Sequence, residues 1–340
     1  VVIGMVATGM IGCDLGLASC TCCQAGFGKS GARFIVSTIF AVNMIGWFGI
    51  QNGVCGEAFS NAMLAMTGWD IPVVVSNTIW GIIMLLTAVY GVHALEKLDK
   101  ISIPLLMIIM CYGTFLAFKV YGTGNLNDEG TVQSMSFMSG VALSFNFTAV
   151  GTITGPDYTR FQKSRKDTVK SVFYGVFPMG VITLIMGIVL TKLSGQYDIS
   201  MVLIEVGLPL LGIIALVIST WTTNSTNAYS AGLNIVMALK LKDNRRREAT
   251  LISGIVGIVL CDLGILGHVE GVLSLLSYVV CPVGGVILAD YWVVGKGKAK
   301  NFRPQDGVNW AGVIAWALGA IISYTLVKIE FVGIIIGFVI

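Results

Sequence analysis

Residues 34–66 read FIVSTIFAVNMIGWFGIQNGVCGEAFSNAMLAM, and this run decides the fold. It is longer than the roughly 20 residues that cross a bilayer core of about 30 Å. Within it, Asn43, Trp47 and Gln51 recur every four residues and therefore share one helix face. Polar groups inside a membrane helix are costly and mark candidate functional surfaces. The run predicts a membrane helix that carries a binding face.

The composition of the whole chain agrees with this interpretation. Only 11% of the 340 residues are charged, 55% are hydrophobic, and the mean hydropathy is +0.85. A soluble domain carries about a quarter charged residues. The 42 glycines suit close packing between membrane helices. We therefore predict an all-α polytopic membrane protein with a single domain over residues 1–340.

Apolar runs and their interruptions give the predicted spans. They are 1–20, 34–66, 72–93, 101–121, 132–155, 171–193, 207–237, 250–266, 269–294 and 310–327, followed by a run from Phe331 to Ile340.

The basic residues orient these spans. Eighteen of the 21 Lys and Arg residues fall in alternate loops, and the other loops hold only Lys119, Lys192 and Lys328. Basic loops stay in the cytoplasm. This places on the cytoplasmic side the loops 94–100, 157–170, 239–249 and 295–309, together with Lys29 and Arg33.

With this orientation the first span runs from outside to inside. A chain that begins outside without a signal peptide is unusual. We therefore expect one upstream helix to be missing and the last helix to be truncated, so that the native protein has about twelve helices and a cytoplasmic amino end.

The stripe in residues 34–66 has two interpretations. An indole plane beside a carboxamide suits a flat heterocycle, because the ring stacks and the amide reads the edge of the ligand. Alternatively, Trp47 packs inside the bundle and Gln51 bonds a neighbouring helix. The residues alone leave both open.

Residues 144–161 read SFNFTAVGTITGPDYTRF, with four threonines, two glycines and a proline. This composition predicts a broken helix, and broken helices in transporters expose backbone groups where substrates bind. Asp157 and Arg160 lie at the cytoplasmic end, where anchoring and capping are favoured over substrate contact.

Residues 219–227 read STWTTNSTN, and this polar run cannot face lipid. Ser219, Thr222 and Thr223 share one helix face and offer hydroxyl and carbonyl oxygens to a hard monovalent cation. Serine and threonine can instead bond back to their own helix, and a conducting pore would also use such oxygens.

Other polar sites are weaker candidates. Pro282 with Gly284 and Gly285 predicts a hinge, and Asp290 with the aromatic residues that follow it predicts gating or structure. We interpret the cysteines at 20, 22 and 23 as packing groups and reject the Gly28-Lys29-Ser30 segment as a phosphate loop, because its first glycine is replaced by cysteine. Asp14, Glu57 and Asp262 are membrane-proximal acids that we do not favour as proton carriers. No set of catalytic groups is visible, so we predict that the protein is not an enzyme.

Four motifs resemble those of the nucleobase–cation symporters, most closely the cytosine/purine permease branch. They are Gly46-Trp47-Phe48-Gly49-Ile50-Gln51, Pro156-Asp157-Tyr158-Thr159-Arg160-Phe161, Trp221-Thr222-Thr223-Asn224, and Pro282-Val283-Gly284-Gly285 with Ala289-Asp290-Tyr291. The resemblance implies a five-plus-five inverted repeat with two extra helices. Residues 1–121 then correspond to helices two to five, 132–294 to helices six to ten, and 310–340 to helix eleven and the start of twelve.

The same resemblance implies the site. A base is held between Trp47 and an aromatic on helix six, at Phe147 or Thr148; we take Phe147 because it supplies a ring. Gln51 and Asn224 would read the base edge, and we add Asn43 and Asn146 as neighbouring amides. The Ser219 carbonyl with the Thr222 and Thr223 hydroxyls would hold Na⁺.

We therefore predict a cell-membrane symporter that imports cytosine or a purine by alternating access. The partners are a nucleobase, a monovalent cation and the lipid bilayer; no nucleic acid is expected, and no cofactor beyond Na⁺ or H⁺ as the coupling ion. The alternatives are a carrier of allantoin, hydantoin or a vitamin-like heterocycle, and a ligand-gated channel or sensor.

Overall fold

The computed structural model describes residues 1–90, 92–127, 136–196 and 198–325, and this part of the chain forms helices and connecting loops without a β-strand. In lipid a backbone must satisfy its own N–H and C=O groups, and a helix does so within one segment. The α-helices are α1 (Val2–Leu15), α2 (Ser19–Cys22), α3 (Gln24–Gly31), α4 (Ser37–Thr67), α5 (Val73–Tyr90), α6 (Val92–Tyr121), α7 (Phe137–Ile153), α8 (Gly155–Thr159), α9 (Arg165–Gly175), α10 (Phe177–Ser194), α11 (Ile199–Glu205), α12 (Pro209–Ala238), α13 (Arg246–Asp262), α14 (Val269–Leu288) and α15 (Trp310–Thr325).

Within the described residues, five helical stretches are long and apolar enough to cross a membrane. They are Gln24–Thr67, Val73–Tyr90, Lys97–Tyr121, Arg165–Ser194 and Ile265–Val294, and shorter apolar helices cover Val2–Leu15, Phe137–Ile153 and Trp310–Thr325. These stretches coincide with predicted spans, so the prediction of a multi-helix membrane protein is confirmed. The predicted final run from residue 331 lies outside the described residues.

Two predicted features are placed differently. Residues 94–100 are not a loop, because α6 already begins at Val92 and carries Lys97 and Lys100 on its first turns. Lysine is a good helix former, so the helix begins several residues before its apolar segment. The break predicted within 132–155 lies at its end, at Thr154, because Pro156 has no N–H and starts a new helix, α8.

One group of helices consists of α4, α5, α12 and α13, which pack against one another. Buried hydrogen bonds join them: the Asn224 amide donates to the Phe48 carbonyl at 3.2 Å, the Ser225 hydroxyl to the Met84 carbonyl at 3.0 Å, and the Asn52 amide to the Asn77 carbonyl at 2.9 Å. Phe48 is fully buried in the apolar cluster between these helices. This group holds Trp47 and Gln51 on α4.

A second group consists of α1, α7, α8 and α9. The Thr8 hydroxyl donates to the Thr152 carbonyl at 2.6 Å, and the Thr159 hydroxyl donates to the Gly9 carbonyl at 2.7 Å. Gly12 lets the α1 backbone lie directly against Pro156. Small residues permit such close helix contact in membranes. The helix α14 packs against α7, α15 and α4.

Ion pairs and hydrogen bonds link several of the basic segments. Arg165 forms a two-oxygen pair with Asp14, with Nε at 3.0 and 2.9 Å from the carboxylate oxygens, and its Nη2 donates to the Gly297 carbonyl at 2.5 Å. Lys29 pairs with Asp306 at 2.8 Å and lowers the pKa of that exposed carboxyl. The contacts join loops that the charge pattern had assigned to the same side.

Gly12→Ala is expected to destabilise the second helix group. The added Cβ would overlap the Pro156 backbone, which cannot move as a flexible side chain would. Overpacking of this kind costs about 1–3 kcal/mol. The measurement is thermal unfolding of the purified protein in detergent. Gly187→Ala on α10 is the matched control, because no atom lies within 4 Å of its new Cβ. Equal melting temperatures for the two variants would contradict the packing argument.

Candidate substrate and cation site

The candidate site begins where Trp47 of α4 meets Phe147 of α7. The ring centroids lie 5.1 Å apart, with an interplanar angle of 87°. Trp47 is 8% exposed, whereas Phe147 is 56% exposed. The structure therefore brings together the two aromatic residues predicted to enclose a base, one from each helix group.

The edge-to-face arrangement leaves no slot between the rings. A flat base stacked on both rings needs about 7 Å between parallel planes, because each stacked contact takes about 3.5 Å. One ring has to rotate before both can stack on a ligand. The exposed Phe147 is free to turn, whereas Trp47 is held in a cluster with Ile50 and Leu273.

Gln51 lies one helical turn after Trp47 and faces a cavity of about 1170 Å³. Ser219 and Thr223 of α12 line the same cavity, so a predicted substrate residue and two predicted cation residues share one space. The polar residues that line it are Gln51, Glu57, Asn61, Asn77, Thr183, Asp198, Ser200, Ser219, Thr220, Thr223 and Asp262. Apolar residues and glycines form most of the lining, as in many small-molecule sites, but Trp47 and Phe147 are not among the residues that line this cavity.

The predicted cation oxygens lie together on α12. The Thr222 and Thr223 hydroxyls each donate to the Ser219 carbonyl at 3.1 Å. The Ser219 hydroxyl donates to the Leu216 carbonyl at 3.0 Å. Because α12 is unbroken from Pro209 to Ala238, the carbonyl is not freed by a helix break. The hydroxyls bond back to their own helix, which is the alternative that the sequence left open.

Two predicted amides are buried and incompletely bonded. Asn43 is fully buried, and neither its nitrogen nor its oxygen has a hydrogen-bond partner among the described residues. Asn146 is 4% exposed; its nitrogen donates to the Ser274 hydroxyl at 3.2 Å, and its oxygen has no partner there. A buried polar group without a partner costs about 1–3 kcal/mol, so such groups are candidates for ligand contact.

Two other predicted residues are used differently. The Thr148 hydroxyl is exposed and donates to the Ser144 carbonyl of its own helix at 3.0 Å. Asn224 is fully buried and does not line the cavity. Its side-chain amide donates a hydrogen bond to the carbonyl of Phe48, the residue that follows Trp47. In this arrangement Asn224 positions the α4 backbone that carries the indole.

The anchoring residues behave as the sequence indicated. The Asp157 carboxylate accepts a hydrogen bond from the Ser19 N–H at 2.8 Å, at the start of α2, and Arg160 lies over the Phe161 ring at 4.6 Å. The Tyr291 hydroxyl donates to Asp14 at 2.5 Å, and the Trp292 indole donates to the Ala7 carbonyl at 3.2 Å. These contacts join helix ends and lie away from the cavity.

The rejected sites are also explained. Cys20, Cys22 and Cys23 are buried in one apolar cluster, and the described residues contain no group of side chains suited to a metal ion. The N–H groups of Lys29 and Ser30 donate to the carbonyls of residues 305 and 307 at 2.8 Å. Those amides are therefore not available to a phosphate.

Sequence reasoning missed several residues around the cavity. Asn61, Asn77 and Asp198 line it, and the Asn77 amide donates to the Asp262 carboxylate at 3.2 Å. Asn77 lies five residues after Pro72, in the first turns of α5. A polar residue so close to a helix start gives no sign that it faces a cavity. Only the packing of α5 against α13 brings it to Asp262.

The whole chain, residues 1–340, matches the family of permeases for cytosine/purines, uracil, thiamine and allantoin. The chain belongs to this permease family. The prediction that it is a membrane transporter and not an enzyme is thereby confirmed, since the members are permeases.

Several relatives of this permease are known. It is 31% identical over 335 residues to the cytosine permease of Escherichia coli strain K12, covering 97% of this chain and 76% of the relative. It is 24% identical over 363 residues to the allantoin permease of Bacillus subtilis strain 168, covering 94% of this chain and 73% of the relative.

The fold of the permease matches that of Mhp1, a nucleobase-cation-symport-1 family transporter. The closed structure of Mhp1 with bromovinylhydantoin bound aligns with a TM-score of 0.78 at 18% identity, covering 99% of this chain and 80% of Mhp1. The predicted transporter fold is confirmed, while the five-plus-five division of the helices stays a prediction.

Asn224→Ala is expected to destabilise the permease. The change removes a buried hydrogen bond between α12 and α4, a loss of about 1 kcal/mol or more. Thermal unfolding in detergent measures it. Asn227→Ala is the matched control, because its amide donates only within α12, to Asn224 at 3.5 Å. The proposed role of Asn224 fails if both variants melt at the same temperature.

Proposed function

We propose that this permease is a secondary symporter of the cell membrane that imports cytosine or a purine together with Na⁺ or H⁺. The observation that carries the proposal is the contact between Trp47 and Phe147 at 5.1 Å across two helix groups. Because the two rings belong to different helix groups, a flat ligand that stacks on both rings contacts both groups. Its binding then depends on how the groups are placed relative to each other.

The proposed substrate contacts follow from the chemistry of the lining. Phe147 turns so that the base stacks against Trp47, which is fixed by its packing. Gln51 offers a donor and an acceptor from the cavity wall. Asn43 and Asn146 supply further hydrogen bonds from buried amides that lack partners. The identity to a cytosine permease supports a nucleobase as the ligand.

The proposed cation site uses the oxygens on α12. When a cation binds at the Ser219 carbonyl, the Thr222 and Thr223 hydroxyl groups rotate. Their hydrogens then point away from the carbonyl, and their oxygens face the cation. The cation then favours the arrangement in which the cavity accepts the base, so its gradient drives uptake by alternating access. Ser219 and Thr223 share the cavity with Gln51, which supports coupling between the two ligands.

A related substrate is the second candidate. The allantoin permease of Bacillus subtilis is 24% identical, and the aligned Mhp1 structure contains a bromovinylhydantoin. Allantoin and hydantoin rings also carry adjacent N–H and C=O groups. The same stacking and edge contacts would bind them.

Competition uptake tests the function. The protein is reconstituted in liposomes, and uptake of radiolabelled cytosine is measured against unlabelled adenine, allantoin and hydantoin, with and without a sodium gradient. We expect concentrative uptake that an ionophore abolishes. Flux that does not depend on any ion gradient would indicate a channel, and binding without flux would indicate a sensor.

Trp47→Ala is expected to abolish base binding, because it removes the ring surface on which the base stacks. Membrane insertion should survive. The measurement is equilibrium binding of radiolabelled cytosine to purified protein. Trp310→Ala is the control, since Trp310 is 66% exposed and lies on α15, away from Phe147. Unchanged cytosine affinity in the Trp47 variant would refute the stacking role.

Thr223→Ala is expected to weaken the dependence of uptake on the cation. Loss of one oxygen ligand costs about 1 kcal/mol, or roughly a fivefold higher half-saturating cation concentration. The matched control is Thr226→Ala, an exposed threonine of α12 whose hydroxyl donates to the Thr222 carbonyl at 3.0 Å. If both variants keep the wild-type ion dependence, Thr223 is not a ligand.

A further inference from the structure

The helix α14 forms a third wall beside the aromatic pair. Leu273 packs in the same buried cluster as Trp47 and Ile50. Leu276 lies against Gly46, where an added Cβ would be 3.4 Å from its Cδ1 atom. One turn of α14 therefore contacts the part of α4 that carries the indole.

The other side of the same turn is polar and meets α7. The Asn146 amide nitrogen donates to the Ser274 hydroxyl at 3.2 Å, and Ser277 donates to the Asn146 carbonyl at 3.4 Å. Asn146 is adjacent to Phe147, and Ser274 is adjacent to Leu273. Each partner of the Asn146–Ser274 hydrogen bond is therefore next in sequence to a residue that packs against Trp47.

The hydrogen bond fixes how the carboxamide is turned. Because the nitrogen of Asn146 donates to Ser274, its oxygen is left as the acceptor, and this buried oxygen has no partner among the described residues. The Ser274 hydroxyl also hydrogen-bonds the Tyr278 side chain one turn further along α14, and by donating there it leaves its oxygen to accept from Asn146. The Asn146 side chain therefore presents one unpaired acceptor.

We infer that Ser274 is a specificity-determining residue that orients Asn146, so that the site selects ligands that place an amino group against the Asn146 oxygen. This inference rests on the proposed function. The exocyclic amino group of cytosine or adenine is such a donor. Uracil carries a carbonyl at the corresponding position, so in the orientation of cytosine an acceptor would face the Asn146 oxygen. Two buried acceptors that face each other are left unpaired, which disfavours uracil in this orientation.

Ser277 provides an internal comparison. It is 2% exposed, and its hydroxyl also donates to the Leu273 carbonyl of its own helix at 2.9 Å. Ser274 is only half-buried. The two serines lie on the same helix face three residues apart, but only Ser274 bonds the Asn146 side chain.

The test compares cytosine and uracil in Ser274→Ala, Ser274→Thr and Ser277→Ala. Inhibition constants of both bases against radiolabelled cytosine uptake are measured in liposomes. We expect Ser274→Ala to raise the inhibition constant of cytosine about three- to tenfold, which is the effect of losing one hydrogen bond. We also expect a smaller ratio between the inhibition constants of uracil and cytosine. Without Ser274 the Asn146 carboxamide can present either its oxygen or its nitrogen to the ligand. Ser274→Thr keeps the hydroxyl and should restore the preference, and Ser277→Ala should leave it unchanged.

The possible outcomes separate the two proposals. If wild-type protein takes up no base, the proposed function fails. If it takes up cytosine and Ser274→Ala keeps the wild-type preference, only the role of Ser274 is overturned. An equal change of preference in Ser277→Ala also overturns it, because the effect would then be general packing. Should Ser274→Ala fail to fold, Ser274→Cys replaces the hydroxyl by a weak donor of similar size and is held to the same expectation.

Discussion

The structure depends on hydrogen bonds from polar side chains to the backbone carbonyls of neighbouring helices. A helical carbonyl keeps a second lone pair after its own helix is satisfied. Thr8, Thr159 and Asn224 each donate to such a carbonyl on another helix. In lipid these bonds tie helices together without leaving a polar group unpaired. They assemble two helix groups with few charges.

The proposed site lies where those two groups meet. Trp47 belongs to the group of α4, α5, α12 and α13, and Phe147 belongs to the group of α1, α7, α8 and α9. A ligand that changes this ring contact changes the relation between the groups. The oxygens proposed to bind the cation lie on α12, which is hydrogen-bonded to α4 through Asn224. A cation bound there would act on the same helix group that carries the indole, and the proposed coupling rests on this connection.

In the proposed site, the polar face of α14 would supply the selectivity. Stacking on Trp47 distinguishes flat ligands from others but not one base from another, because every base has a π-face. Hydrogen bonds at a buried edge discriminate more strongly, since a mismatch leaves a polar group unpaired. Asn146 is suited to that task because it is buried and its orientation is set by Ser274. The aromatic pair and the amide would then have separate roles in one site.

The sequence by itself determined the helical membrane class and most of the span positions, while the cytoplasmic side of the basic loops stays a prediction. These follow from hydropathy, spacing and charge, which act locally along the chain. It also marked Trp47 as a candidate, because an indole within a polar stripe is suited to stacking, whereas Phe147 was predicted only from the family resemblance. The tertiary structure alone decided that the rings meet edge to face, that Asn224 holds the backbone of α4, and that Asn146 bonds Ser274. Such contacts join residues about 100 or more positions apart, and their partners are chosen by the packing of whole helices, which no local pattern records.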